Sequence, residues 1–191
     1  MMDGHGDPAL DPFGEAQAEL LGERLATEAI SAIYVTTLQR THQTAAPLAA
    51  ALGLTPFVEP ELREIFLGDW EGGVLRQKAA ENDPVYVQVQ EQQDWGLIPG
   101  AESFVALQDR CVAAIGRIHA AHPDQRVAVV VHGGVIGALC AHATGSRPFA
   151  FNGADNGSIH HLVVTGTEWK LRCYNDTAHL GGFSPAGQAM T

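Results

Sequence analysis

Apolar positions recur along this chain with two spacings, one typical of helices and one typical of buried strands. One unbroken apolar run covers residues 127–131, and His132, Gly133 and Gly134 follow it. Apolar residues without alternation predict a parallel strand buried on both faces. His132 would lie at the carboxyl end of a central strand, where α/β sheets bind ligands. The glycine N–H groups would face the same point from the next helix. Equally, the histidine could simply fill space.

The other elements follow from the same pattern. Asp11 as an N-cap and Pro12 as the first helical residue predict the start of a helix. We then predict a strand over 32–35, a helix to about 52 capped by Gly53, a brief strand within 56–60, helical segments over 74–93, a helix over 103–121, the strand of 127–131 with a helix to about 143, and a hairpin of 158–164 with 169–174.

This order of elements predicts one α/β domain over residues 1–191. Strands that alternate with helices, followed by one late hairpin, favour a three-layer α/β/α sandwich with a mostly parallel central sheet. Residues 1–10 lack periodicity and predict an irregular lead-in, and residues 181–191 predict a loose tail.

Charge and composition limit the classes of partner and the compartment that we expect for this protein. The formal net charge is −11, and of the 11 basic residues only Lys78 and Lys170 are lysines. Without a basic run, nucleic acid and anionic membranes are poor partners. Cys111, Cys140 and Cys173 show no close spacing, which favours free thiols in a reducing compartment. No charged segment followed by an apolar one opens the chain and no apolar run reaches 18 residues, so we expect a cytoplasmic protein.

Two further residues are candidates for the same site as His132. Arg40 lies near the start of a helix that follows a strand, so its guanidinium can reach the same edge of the sheet, although an arginine there is more often a surface ion-pair partner. Glu64 lies in a loop with apolar neighbours, where burial would raise its pKa and suit a general acid. The alternative is a rim carboxylate that caps a turn. Asn175, Asp176 and His179 either join this site or close the last strand.

Several segments together resemble the histidine phosphatase superfamily, which includes the cofactor-dependent phosphoglycerate mutases. The resemblance covers about residues 7–180, including the entry to the first helix, where Asp11 stands in place of the usual threonine. The other segments, in the family's order and spacing, are Thr-Leu-Gln-Arg at 37–40 with Gln-Thr at 43–44, Leu-Arg-Glu at 62–64 with Gly-Asp-Trp-Glu-Gly at 68–72, Pro-Gly-Ala-Glu-Ser at 99–103, Val-His-Gly-Gly-Val-Ile at 131–136, and Asn-Asp-Thr-Ala-His-Leu at 175–180.

The resemblance implies a role for each candidate. In this family a histidine attacks the phosphorus of a phosphomonoester, and water then hydrolyses the phosphohistidine or a second acceptor takes the phosphoryl group. Arg40, His132 and the Gly133 N–H match the groups that hold the phosphoryl oxygens, and Glu64 matches the acid that protonates the leaving alcohol. Neither a metal nor another cofactor is expected, because cationic side chains and a helix N-terminus supply the charge stabilisation.

The family's nucleophile has no clear counterpart in this sequence. Family members begin with a buried strand ending in Arg-His-Gly or Arg-His-Ala, whereas here only six residues precede Asp7. His5 is the nearest candidate, but no apolar strand and no arginine precede it. We therefore expect the first strand and the nucleophile to be absent from the sequence as given. We also expect no turnover of a generic monoester unless about 30 upstream residues are restored, and association of copies through the unpaired strand edges.

Three alternatives to an impaired phosphatase stay open. A phosphoglycerate mutase-type phosphotransferase would need further basic residues at the site, and near Glu64 the sequence offers Arg63 and Arg76. A phosphate-binding pseudoenzyme would keep the pocket without the chemistry. A metal site at His160 and His161 is disfavoured, because adjacent strand residues point to opposite faces. The expected ligand is a small phosphorylated metabolite or phosphate, and its specificity would come from residues 74–97.

Overall fold

The computed structural model describes residues 6–181. Its helices are α1 Pro12–Ala26, α2 Gln39–Leu52, α3 Val74–Ala80, α4 Pro84–Gln92, α5 Phe104–Ala121 and α6 Gly133–Thr144. Its strands are β1 Ile30–Val35, β2 Phe57–Val58, β3 Arg126–Val129, β4 Ile159–Thr165 and β5 Glu168–Asp176. Short 3-10 turns cover Pro60–Leu62, Gly68–Trp70, Trp95–Leu97 and Ala178–Leu180. Residues 6–11 have no regular structure, as predicted, whereas the predicted tail over 182–191 lies outside the described residues.

The capping residues set the helix ends that the sequence predicted. The Asp11 carboxylate accepts a hydrogen bond from the Gly14 N–H at 2.7 Å, and Pro12 begins α1. Gly53 ends α2 with a φ of 66°, a left-handed conformation that glycine adopts at little cost. The Ser103 hydroxyl accepts from the Ala106 N–H and opens α5. Local side-chain chemistry therefore explains these boundaries.

The parallel sheet has the strand order β2-β1-β3, and helices cover both of its faces. Val127, Val129 and Val131 pack against the cluster built from α5 and α6, whereas Ala128 and Val130 pack against the cluster that includes Ala45 and Leu48 of α2. Alternate residues of one strand thus enter two cores, which is the three-layer α/β/α arrangement predicted from the sequence. The hairpin of β4 and β5 follows as a separate antiparallel sheet.

One sequence prediction about this sheet is wrong. Residues 127–131 were expected to be central and buried on both faces, but β3 ends the three-stranded sheet and all five residues are only half-buried. Within residues 6–181 no strand pairs with the second edge of β3. An open cavity of about 150 Å³ is instead lined by Val127 and Val129 of β3, Leu162 and Val164 of β4, and Ile115 and Ile118 of α5.

The state of the cysteines agrees with another expectation. Cys111, Cys140 and Cys173 are all free thiols, and the first two are buried. Burial raises the pKa of the Cys111 thiol to about 12 and that of Cys140 to about 11. Among the helices of residues 6–181, none combines the length and apolar character needed to cross a membrane.

Candidate active site

The three candidate side chains come from three segments that meet near the carboxyl ends of β1 and β3. Arg40 is the second residue of α2, and His132 is the N-cap of α6. Glu64 lies in the loop that follows the turn Pro60–Leu62. Arg40 is near enough to Glu64 for its charge to lower the pKa of that carboxyl, and Glu64 bonds to the start of α6. The fold thus assembles the three candidates at one edge of the sheet.

A threonine at the end of β1 orients His132. His132 is buried, and its Nε2 lies 3.0 Å from the hydroxyl of Thr36, which is itself fully buried. The Thr36 oxygen also accepts from the Leu38 N–H, while the Thr36 N–H donates to the Thr41 hydroxyl. These bonds fix the threonine, and the threonine then fixes the imidazole.

The Glu64 carboxylate lies at the N-terminus of α6. Its Oε1 accepts from the Gly134 N–H at 3.1 Å and from its neighbour, the Ile65 N–H, at 2.9 Å, while Oε2 lies 3.3 Å from the Gly134 nitrogen. The sequence predicted that the Gly133 and Gly134 N–H groups face an external ligand. The structure directs the Gly134 N–H to Glu64, and Gly133 begins the helix beside it. A carboxylate at this position is stabilised by the unpaired N–H groups of the first helical turn.

Opposing effects set the protonation of Glu64. Burial of the carboxyl among Ile65 and the start of α6 raises the pKa of Glu64, as the sequence predicted. The N–H groups of Ile65 and Gly134 and the charges of Arg40 and Arg110 lower the pKa, but they do not fully offset burial. A carboxyl with a raised pKa holds its proton to a higher pH than an ordinary carboxyl, as a general acid requires.

The N-terminal segment passes directly beside Arg40. The Arg40 guanidinium donates from Nη1 to the Gly6 carbonyl at 3.3 Å, and the Gly6 N–H donates to the Glu71 carboxylate at 3.4 Å. The Asp7 carboxylate accepts from the Gln39 N–H at 2.8 Å. His5, the nearest nucleophile candidate in the sequence, lies outside the described residues.

The residues near the C-terminus close the hairpin. The Asn175 side chain exchanges two hydrogen bonds of 2.8 Å with Asp155, and the Asp176 carboxylate accepts from the Ala178 N–H. The His179 ring bonds to the Gly157 carbonyl through Nε2 at 3.0 Å. Of the two open interpretations of this motif, these contacts fit the structural one. Within residues 6–181 no three side chains of the metal-ligating types cluster together, at His160 and His161 or elsewhere.

Two features of the site were missed at the sequence level. Thr36 was treated only as part of the approach to α2, although a polar residue directly after a buried strand is a signal for the ligand edge of a sheet. Arg110 was not identified as a candidate, and Glu102 was considered only within the segment 99–103. Their ion pair is only eight positions apart, but Arg110 also binds the carbonyls of residues 61–64, far away in the chain. Neither signal shows a partner without tertiary contacts.

A model of the histidine phosphatase superfamily (branch 1) matches residues 1–177. This chain belongs to that superfamily. The match spans every element from α1 to β5, including Arg40, Glu64 and His132.

The relatives of this chain include proteins named as phosphatases and proteins named as mutases. Phosphoglycerate mutase-like protein 4 of Arabidopsis thaliana is 35% identical over 96% of this chain and 82% of that protein. The metal-independent phosphoserine phosphatase of the same plant is 30% identical over 93% of this chain and 76% of its own length. A solved structure of mycobacterial glucosyl-3-phosphoglycerate phosphatase matches 91% of each chain at 28% identity, with a TM-score of 0.79. The fold and the enzyme family are therefore shared with phosphatases.

Proposed function

We propose that this chain is a phosphomonoester hydrolase that works through a phosphohistidine intermediate on a small phosphorylated metabolite. The observation that carries this proposal is the Glu64 carboxyl, held at the N-terminus of α6 with a raised pKa and within the field of Arg40. Phosphoryl transfer requires positioning and charge stabilisation more than covalent chemistry, and an arginine, a histidine and a helix terminus supply these. The phosphatase names of two relatives support the same reaction.

Each residue of the site has a separate role in the proposed reaction. Arg40 and His132 would hold the phosphoryl oxygens, helped by the Gly133 N–H at the start of α6. As the bond between phosphorus and the leaving oxygen breaks, Glu64 would give its proton to that oxygen and release a neutral alcohol. The resulting Glu64 carboxylate would be stabilised by the Gly134 N–H and by Arg40. Water would then attack the phosphohistidine, and Glu64 would recover a proton from that water.

The proposal includes impaired turnover by the chain as given. His132 is assigned to phosphate binding, and its ring is oriented by Thr36. The attacking histidine is a separate group, and the chain as given offers only His5 near its expected place, without the buried strand and arginine that precede the nucleophile in the family. Mutase-type transfer remains the second candidate, supported by the name of the relative at 35% identity. It requires a doubly phosphorylated intermediate to be retained, for which Arg63 and Arg76 would be the additional cations.

Phosphate affinity and hydrolysis test the proposal separately. We expect inorganic phosphate to bind the chain in a calorimetric titration. Arg40→Ala should weaken binding by about 10- to 100-fold, because a hydrogen bond to a charged group contributes about 1.5–3 kcal/mol. Glu64→Gln should bind phosphate with roughly unchanged affinity. Arg24→Ala is the matched control, since Arg24 forms an exposed ion pair with Glu28.

Three outcomes contradict parts of the proposal. If the chain binds no phosphate, or if Arg40→Ala binds it as tightly as the parent, the assignment of the site is wrong. We expect p-nitrophenyl phosphate to be hydrolysed no faster than in buffer. Measurable hydrolysis that His5→Ala abolishes would show that the chain is not impaired and that His5 is the nucleophile. Transfer of the phosphoryl group to an added alcohol in preference to water would favour the mutase alternative.

A further inference from the structure

Arg110 of α5 is bonded to the backbone of the segment that carries Glu64. Its Nη1 donates to the carbonyls of Glu61 at 2.6 Å and Arg63 at 2.9 Å, and its Nη2 donates to the carbonyl of Glu64 at 3.2 Å. Two further bonds, from Nε and Nη2 to the Glu102 carboxylate, measure 2.6 and 2.8 Å, and Nη1 also lies 3.8 Å from the Cys111 Sγ. A guanidinium has five N–H donors, and these five bonds match all of them.

Burial of both partners distinguishes this pair from the other ion pairs among residues 6–181. The Arg110 side chain is 11% exposed and that of Glu102 is 16% exposed, whereas Arg117 on the same helix pairs with Glu59 while 54% exposed. Exposed ion pairs contribute little, but a bidentate pair shielded from water holds a defined geometry. Glu102 is itself fixed, because its N–H donates to the Phe66 carbonyl at 2.8 Å.

The three carbonyls determine where the Glu64 side chain can reach. With the backbone of residues 61–64 attached to α5, the Glu64 carboxylate extends to the Gly134 N–H of α6, 3.1 Å away. α5 packs directly against α6. The acid is therefore positioned between two helices, with its backbone bonded to one and its carboxylate to the other.

We propose that Arg110, held by Glu102, is a positioning residue that aims the Glu64 carboxyl at the N-terminus of α6. The inference rests on the proposed function for its catalytic meaning, since Glu64 is the acid of that reaction. Lysine cannot replace the arginine, because an ammonium group lacks the planar fork that spans three carbonyls and a carboxylate. The charge alone is therefore not sufficient for this role.

Amide hydrogen exchange tests this inference in the full chain without requiring turnover. In Arg110→Lys we expect the Gly134 N–H to exchange at least about tenfold faster, because its acceptor is displaced. Amides deeper in α6, such as that of Ala138, should keep their protection. A carbon-13 titration of the Glu64 carboxyl should show its pKa rising further, because the bonds that favour the carboxylate weaken. Arg117→Lys, on the same helix, should change neither measurement.

Further variants separate positioning from simple structural support. Glu102→Gln keeps the arginine but weakens its anchor, and it should give the same local change at Gly134 with a smaller amplitude. If Gly134 keeps its protection in Arg110→Lys, or if all amides of α6 lose protection uniformly in both variants, the positioning role is refuted. Inorganic phosphate affinity should stay within about twofold of the parent in these variants. Absence of phosphate binding in the parent would refute the proposed function but leave the amide result valid.

Discussion

The carboxyl group of Glu64 receives bonds or charge from four parts of the chain. Its own loop supplies the Ile65 N–H, α6 supplies the Gly134 N–H, and α2 and α5 supply the charges of Arg40 and Arg110. Glycine permits this close approach, because a Cβ at position 134 would lie 2.6 Å from the Glu64 Oε1 and the carboxylate would have to move. The residue type at position 134 is therefore coupled to the position of the acid.

Substitution of Gly134 tests this coupling between the glycine and the acid. In the parent chain Gly134→Ala displaces the Glu64 carboxylate, and the lost bond offsets the roughly 1 kcal/mol that alanine contributes to a helix. In a Glu64→Ala background the clash with the carboxylate is absent and only the Ile65 Cγ2, 3.2 Å from the added Cβ, stays close, so we expect the same substitution to destabilise the protein less than in the parent. Urea unfolding of the four proteins should give a coupling free energy of about 1–2 kcal/mol.

Gly116→Ala is the control for that cycle. Gly116 lies within α5, and a Cβ there meets nothing within 4 Å. Alanine should stabilise the helix by about 0.5–1 kcal/mol in both backgrounds. If the coupling at Gly134 is no larger than at Gly116, Glu64 does not determine the residue at position 134.

At the scale of elements, the hairpin of β4 and β5 is closed by a chain of hydrogen bonds through His160. The Asn175 N–H donates to His160 Nδ1 at 3.2 Å, so the ring carries its proton on Nε2 and donates to the Ser158 hydroxyl at 2.9 Å. That hydroxyl donates to the Asp155 carbonyl at 2.6 Å. Burial lowers the pKa of His160 to about 4, and a proton on Nδ1 would also face the Asn175 N–H.

This hairpin should therefore lose stability as the pH falls. An unfolded histidine has a pKa near 6.5, so between about pH 6.5 and 4 the unfolded chain binds more protons at this site than the folded one. Stability from His160 is present above pH 6.5 and is lost towards pH 4. Because the ring is only partly buried, we expect a contribution of about 2 kcal/mol.

Urea unfolding at pH 7.0 and 4.5 measures this effect. The loss of unfolding free energy between the two pH values should be smaller in His160→Gln than in the parent. His161→Gln is the matched control, since His161 is the adjacent histidine and is exposed. A parent and a His160→Gln variant that lose the same stability on acidification would contradict the assignment.

At the scale of the whole molecule, the two sheets of residues 6–181 each end in an unpaired edge beside one cavity lined by both apolar and polar side chains. Val127 and Val129 line it from β3, and Leu162 and Val164 line it from β4. Open strand edges with apolar side chains favour pairing between chains. We therefore expect copies of this chain to associate in solution through these edges.

Light scattering coupled to gel filtration tests that expectation. We expect the parent to elute as a dimer or larger species whose proportion rises with concentration. Val164→Lys should shift it towards monomer, because a charged side chain at a strand edge opposes pairing. Val105→Lys is the control, since Val105 lies on α5 with 65% of its surface exposed. A parent that stays monomeric at all concentrations would refute the expectation.

The sequence alone determined the features that arise from nearby residues. The Asp11 cap, the glycine at the end of α2, the Ser103 cap and the late hairpin follow from side chains within a few positions of each boundary. The order of strands and helices then determined the three-layer class. The motifs that carry Arg40, Glu64 and His132 indicated the family that the chain-wide match confirmed.

Tertiary structure decided what depends on contacts between distant segments. The half-buried state of β3 follows from strand pairing, which the apolar run at 127–131 does not encode. The Gly134 N–H is directed to Glu64, 70 positions away, and the Arg110 fork reaches carbonyls 46 to 49 positions away. Such bonds depend on how the helices pack against the sheet, so local sequence indicates the residues while the fold determines their partners.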